Sequence, residues 1–102
     1  MYQIIFFVPK SHSEKVKAAL FEAGAGAFNN YDSCCWETEG TGQFRPLEDS
    51  TAFIGEKNKL EKLPELRIEM LCTKDSLDEA LKALVEAHPY EEPAYYAVET
   101  RV

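Results

Sequence analysis

The run Leu66-Arg67-Ile68-Glu69-Met70-Leu71-Cys72 passes into Thr73-Lys74-Asp75-Ser76-Leu77-Asp78-Glu79-Ala80-Leu81-Lys82-Ala83-Leu84-Val85-Glu86-Ala87-His88, and the change of period between the two decides the fold. In the first run Leu66, Ile68, Met70 and Cys72 alternate with Arg67, Glu69 and Leu71, which is the period of a strand. In the second, Leu77, Leu81, Leu84 and His88 share one stripe flanked by Ala80 and Val85, which is the period of a helix. Ser76 with Glu79 reads as a capping box that opens this helix. Pro89 stops it, because proline has no N–H to donate and pushes the residue before it toward extended geometry. Beyond the acidic corner His88-Pro89-Tyr90-Glu91-Glu92-Pro93, Ala94 to Val102 reads as a closing strand.

The N-terminal half repeats the same order. Tyr2 to Val8 is almost wholly apolar and β-prone, the pattern of a central strand covered on both faces, and Pro9 ends it. Ser11 and Glu14 form a second capping box, with Val16, Ala19, Leu20 and Ala23 at helical spacing behind it. Gly24 stands where a helix-terminating glycine belongs. Ala25 to Asn30 is a small-residue turn, and Tyr31 to Glu39 reads as a strand carrying Trp36. Gly40 to Gly55 holds three of the five glycines and Pro46, and reads as a long hairpin excursion.

Two β-α-β units in 102 residues make one domain, residues 1–102. The fold class is α+β: a ferredoxin-like βαββαβ sandwich, with a four-stranded antiparallel sheet, both helices on one face and the excursion after the second strand. The other face would carry Ile5, Phe7 and Leu71, with Trp36 or Tyr95. Monomers seldom expose such a patch, so a homo-oligomer is expected, a trimer first.

Charge narrows the partners. Eighteen Asp and Glu against eleven Lys and Arg give a net charge of −7, which argues against nucleic acid and against an anionic membrane surface. It favours a cation, a basic partner or plain solubility. No apolar run approaches the about 20 residues that cross a bilayer. Met1 leads straight into a strand without a cationic segment, so no signal peptide is expected. Three cysteines, two of them adjacent as Cys34-Cys35, make no disulfide framework and fit a reducing cytoplasm.

In this topology the first strand ends, the first helix begins, the second helix ends and the last strand begins at one rim. His12, His88, Glu91 and Glu92 therefore converge there, beneath the excursion. Two imidazoles and one or two carboxylates held by stiff backbone suit a divalent metal: zinc, manganese or iron. The competing role for His88, on an apolar stripe in a last helical turn, is to hydrogen-bond a neighbour; His12 would then only decorate the first helix. Gly40-Thr41-Gly42-Gln43-Phe44-Arg45-Pro46 reads as a turn before an anion cradle, since it lacks the Lys-Ser/Thr of a phosphate loop. Cys34, Cys35 and Cys72 read as small buried hydrophobes. Tyr90, Tyr95 and Tyr96 read as packing across the last strand before stacking on a ligand, and Lys57 to Lys62 as a solvated segment. The expected function is an oligomeric binding or regulatory module for a cation or small molecule. The alternatives are a metal-dependent hydrolase and a structural or partner-docking protein.

Val8-Pro9 with His12, Ala23-Gly24-Ala25-Gly26, Asn30-Tyr31 with Cys34, Glu39-Gly40-Thr41-Gly42 with Phe44-Arg45-Pro46, Ile54-Gly55 and Ala87-His88-Pro89-Tyr90-Glu91-Glu92-Pro93-Ala94-Tyr95 occur in that order. Together, over nearly the whole chain, they resemble the domain inserted into the longer YqfO-type members of the family named for NGG-one-interacting factor three. The resemblance implies a fold similar to CutA and PII signalling proteins, which are trimeric ferredoxin-like modules, and it implies a standalone form of the insert. It carries over no catalytic or metal residue. The larger members hold a dinuclear metal centre with ligands in the two halves flanking the insert, and this sequence has neither half. Leu47 to Ala52 departs from the glycine- and proline-richer pattern of the family at that point.

Overall fold

The computed structural model describes residues 1–102, and the element order is the one the periods imply. Strand β1 is Tyr2–Pro9, helix α1 Ser13–Glu22, strand β2 Trp36–Phe44, strand β3 Glu61–Cys72, helix α2 Lys74–Ala87 and strand β4 Tyr95–Glu99. A 3-10 turn, Lys10–His12, joins β1 to α1. The four strands form one antiparallel sheet in the order β2-β3-β1-β4.

Register decides which side chains meet. Phe6 pairs with Ile68, and Ile4 with Met70, so the even-numbered residues of β1 and β3 share the face covered by the helices. Ile4, Phe6, Val8, Leu66, Ile68, Met70 and Cys72 from the sheet meet Val16 and Leu20 of α1 and Ala80 and Leu84 of α2 in one buried cluster. Lys17 ties α1 to the edge strand, its Nζ 2.7 Å from both Glu14 and Glu37. These carboxylates, Glu14 foremost, hold the Lys17 ammonium well above the ordinary lysine range against the opposing cost of burial.

The second face is open, and its composition differs in one respect from expectation. Ile5 pairs with Glu69 and Tyr96, and Glu69 with Trp36, so Ile5, Trp36 and Tyr96 share this face with Phe7, Leu71 and Val98. Tyr95 pairs with Phe6 and lies on the helix side. Arg67 stands over the Phe7 ring at 5.8 Å, and Gln3 donates to Glu69 at 2.7 Å, so the patch is apolar with a polar centre.

Both helix starts differ from the capping-box reading. The residue before α1 is His12, without a side-chain cap, and Ser11 lies in the 3-10 turn. Ser13 Oγ instead donates to the Lys10 carbonyl at 3.0 Å. At α2 the cap is Thr73, whose Oγ1 accepts from the Ser76 N–H at 3.3 Å. Thr73→Ala should lower unfolding free energy by about 1 kcal/mol, and Ser76→Ala by clearly less, in paired urea melts. The reverse ranking would return the cap to Ser76. The end of α1 follows expectation: Ala25 N–H bonds the Leu20 carbonyl and Gly24 N–H the Phe21 carbonyl, with Gly24 at φ +105°. A Cβ on Gly24 would also meet Ser76 Oγ in the first turn of α2.

The second strand is displaced from its expected place at Tyr31 to Glu39. It runs Trp36–Phe44, through both Gly40 and Gly42, so this glycine stretch is neither a turn nor an anion cradle. β3 starts five residues before Leu66, at Glu61, to pair with the added length of β2. The excursion is therefore residues 45–60. Of the cysteines only Cys72 is buried; Cys34 is half-buried and Cys35 exposed, contrary to the buried role expected for all three. No helix is long and apolar enough to cross a membrane.

Candidate functional site

The chain ends expected at one rim arrive there. β1 ends with Pro9 opposite Glu65, and β4 starts with Tyr95 opposite Phe6. α1 begins and α2 ends at the same rim, and β2 runs out at Phe44 where β3 begins at Glu61.

His88 sits at its base, only 6 % exposed. Its Nδ1 accepts the Tyr90 N–H at 3.1 Å, and its Nε2 lies 2.7 Å from the Phe7 carbonyl. An amide only donates and a carbonyl only accepts, so the ring is neutral, with its proton on Nε2. Burial pushes its pKa below the usual 6.5, against the opposing pull of the Phe7 carbonyl and of Glu65, with His12 adding slightly to the depression. The imidazole pegs the end of α2 to the end of β1, and its single lone pair is already used.

Tyr90 packs on this peg, ring centroids 4.9 Å apart, and its hydroxyl donates to Glu65 Oε2 at 2.8 Å. Burial, and the Glu65 carboxylate that accepts its proton, push the phenol well above its usual range. Glu65 in turn lies across Gly42, where an added Cβ would run into it. A glycine inside an edge strand accommodates that close approach without moving the glutamate.

The excursion is fastened over the rim. Leu47 to Ser50 closes a turn, with Ser50 Oγ donating to the Leu47 carbonyl at 2.7 Å. The Thr51 N–H donates to both oxygens of Glu91, at 3.1 and 3.3 Å. Phe53 lies 5.3 Å from His12, edge to face, and 6.4 Å from Tyr90, whose ring is 5.8 Å from Phe44. His12, Phe53, Tyr90 and Phe44 thus make a continuous aromatic row. Between the excursion and the sheet is a cleft of about 840 Å³. Its charged lining is five carboxylates, Glu48, Asp49, Glu65, Glu91 and Glu92, against the single guanidinium of Arg45.

The four residues expected as metal ligands are placed around this cleft but not as one coordination set. Glu91 and Glu92 line it. His12 borders it through Phe53, its Nδ1 2.9 Å from Ser11 Oγ. His88 lies behind Tyr90 with both nitrogens engaged. No group of three or more His, Cys, Asp or Glu side chains is arranged to hold a metal ion. Sequence reasoning missed Phe44, Phe53 and Glu65, and assigned Tyr90 to strand packing. Phe53 alone carried a usable signal, as the one Phe, Tyr or Trp within residues 45–60.

No family model matches the chain. It is 42% identical over 95 residues to a protein of Halalkalibacterium halodurans named GTP cyclohydrolase 1 type 2 homolog, an alignment that takes in 93% of this chain and 26% of that protein. Among solved structures, a Bacillus cereus protein related to NIF3 superposes with a TM-score of 0.84 at 39% identity, over 99% of this chain and 26% of that one. CutA1 from Pyrococcus horikoshii superposes with a TM-score of 0.71 at 18% identity, over 100% of this chain and 85% of that one, a likeness of fold. The chain spans about a quarter of the length of the curated relatives it matches.

Proposed function

Because this chain is a homologue of a segment making up about a quarter of the NIF3-related GTP cyclohydrolase 1 type 2 homologs, we propose that it is an oligomeric binding or regulatory module rather than a catalytic one. Its ligand, a small molecule or a cation, occupies the cleft between the excursion and the rim. The observation that carries this reading is the cleft itself. About 840 Å³ lies within the range of small-molecule sites, and its walls combine an aromatic row with a few converging charges. Self-association follows from the open sheet face, where Trp36 is 68% and Val98 49% exposed, and from the free edges of β2 and β4. A trimer is the first expectation.

A thermal-shift panel of nucleotides including GTP, amino acids, amines, zinc and manganese tests the ligand, and sedimentation tests the assembly. At least one ligand class should raise Tm, and Ala52→Trp, which fills the cleft from the excursion side, should abolish the rise. The trimer predicts three chain masses in solution. A panel that leaves Tm unmoved, or a rise that survives Ala52→Trp, would remove the cleft as the site. A divalent cation is the second reading, favoured by the two carboxylates held between Pro89 and Pro93. Its protein donors would be limited to Glu91 and Glu92, since no third His, Cys, Asp or Glu side chain is grouped with them and both nitrogens of His88 are engaged.

A further inference from the structure

We infer that the ligand of this cleft is an organic cation of metabolite size, an amine or quaternary ammonium with an apolar body, held by the Phe53–Tyr90–Phe44 row and neutralised by the carboxylates that line the same cleft; the inference rests on the cleft being the binding site.

Three observations converge on this class. The first is charge. With five carboxylates and one guanidinium, the lining repels nucleotides and other polyanions and concentrates cations, and a recess bounded by protein focuses that field more than an open surface does. The carboxylates are also unequally committed. Glu65 takes the Tyr90 hydroxyl and Glu91 the Thr51 amide, whereas Asp49 and Glu92 have no hydrogen-bond or ion-pair partner within the chain. The second is the aromatic row. Ring faces attract cations through their quadrupole and also bury hydrocarbon, so a ligand with both a positive end and an apolar body gains from both. A bare divalent ion would use neither, and no set of three ligating side chains is assembled for one. The third is size: the cleft is far larger than a hydrated ion requires.

The rings of the row are held to different degrees. Tyr90 is fixed from behind by His88 and from below by Glu65, so one ring is held in place before any ligand arrives. Phe53 is 52% exposed on the excursion, so its ring keeps surface open to a ligand in the cleft.

The experiment is calorimetric titration with agmatine, spermidine and choline, and with GTP, AMP and citrate as anionic counterparts. At least one cation should bind with one site per chain, weakening as salt is raised. Glu92→Gln and Phe53→Ala should each weaken it tenfold or more. Asp78→Asn, which removes the same charge from the exposed face of α2, should leave it unchanged. Equal weakening by Asp78→Asn would show mere attraction to an acidic surface and overturn the inference. Anions binding in preference to cations, with the effect lost in Ala52→Trp, would overturn it while preserving the cleft as the site. Silence from all six probes would overturn it as well, and if the wider thermal-shift panel were also flat, the cleft reading would fall separately. Because Phe53 is exposed and Glu92 lies on the surface, neither variant is expected to unfold the chain.

Discussion

His88→Ala is expected to lower the unfolding free energy by about 4 kcal/mol, a large part of the about 5–15 kcal/mol that holds a domain of this size together. The imidazole is the sole hydrogen-bond partner the chain offers to the Tyr90 N–H, and it also engages the Phe7 carbonyl. Each buried group left without a partner costs about 1–3 kcal/mol, and removal of the ring opens a void beneath Tyr90. The same substitution should alter the pH dependence. An unfolded chain protonates this histidine at about 6.5, whereas the folded chain holds it neutral to lower pH. The unfolded state therefore binds more protons in that interval. His88's contribution is complete above about pH 6.5, falls as pH drops from there toward the lowered native pKa, and is constant below it. Urea melts between pH 7.5 and 5 should show this decline in the wild type and a shallower one in His88→Ala. Identical slopes would mean that the ring stays accessible to protons and is not a neutral peg. A loss below about 1 kcal/mol would mean that water replaces both of its bonds.

Phe6→Ala should be comparably damaging for a different reason. Phe6 is the largest of the fully buried side chains, pairs with Ile68 and Tyr95, and lies at the centre of the layer between sheet and helices. Truncating a buried phenylalanine costs about 3–5 kcal/mol, partly in lost transfer energy and partly in the cavity left behind. The urea midpoint should fall sharply with little change in slope, because both folded and unfolded states keep their extent. Phe53→Ala provides the contrast: that ring is half exposed on the excursion, and its loss should cost less than about 1 kcal/mol. Equal losses from the two would mean that the excursion is part of the cooperative core and not a flap over it.

Some of this was legible in the chain and some was not. The alternation of Leu66 to Cys72, the stripe of Leu77, Leu81 and Leu84, the stop at Pro89 and the glycine end at Gly24 are local statements, and each reappears in the structure. The gathering of His12, His88, Glu91 and Glu92 about one rim followed from topology alone, before any side chain was placed. The extent of β2 did not. Gly40 and Gly42 signal a turn wherever only neighbours in sequence are considered, yet both lie in a strand because β2 pairs along its length with β3, Gly40 opposite Glu65 and Gly42 opposite Leu63. The caps misled for a related reason: Ser11 and Ser76 fit the capping pattern, but the first turn of each helix begins at a point set by where the preceding strand leaves the sheet.

What the sequence by itself determined is the order of elements, the apolar face of each and the rim at which their ends meet, because periodicity and the backbone limits of proline and glycine act over a few residues. What only the tertiary structure decided is the role each side chain takes at that rim. His88 becomes a peg instead of a free ligand because its partner, Phe7, lies 81 residues away. The cleft exists because an excursion of no regular period is tied to Glu91 across 40 residues. Such pairings are set by the packing of the whole chain, and no local pattern announces them.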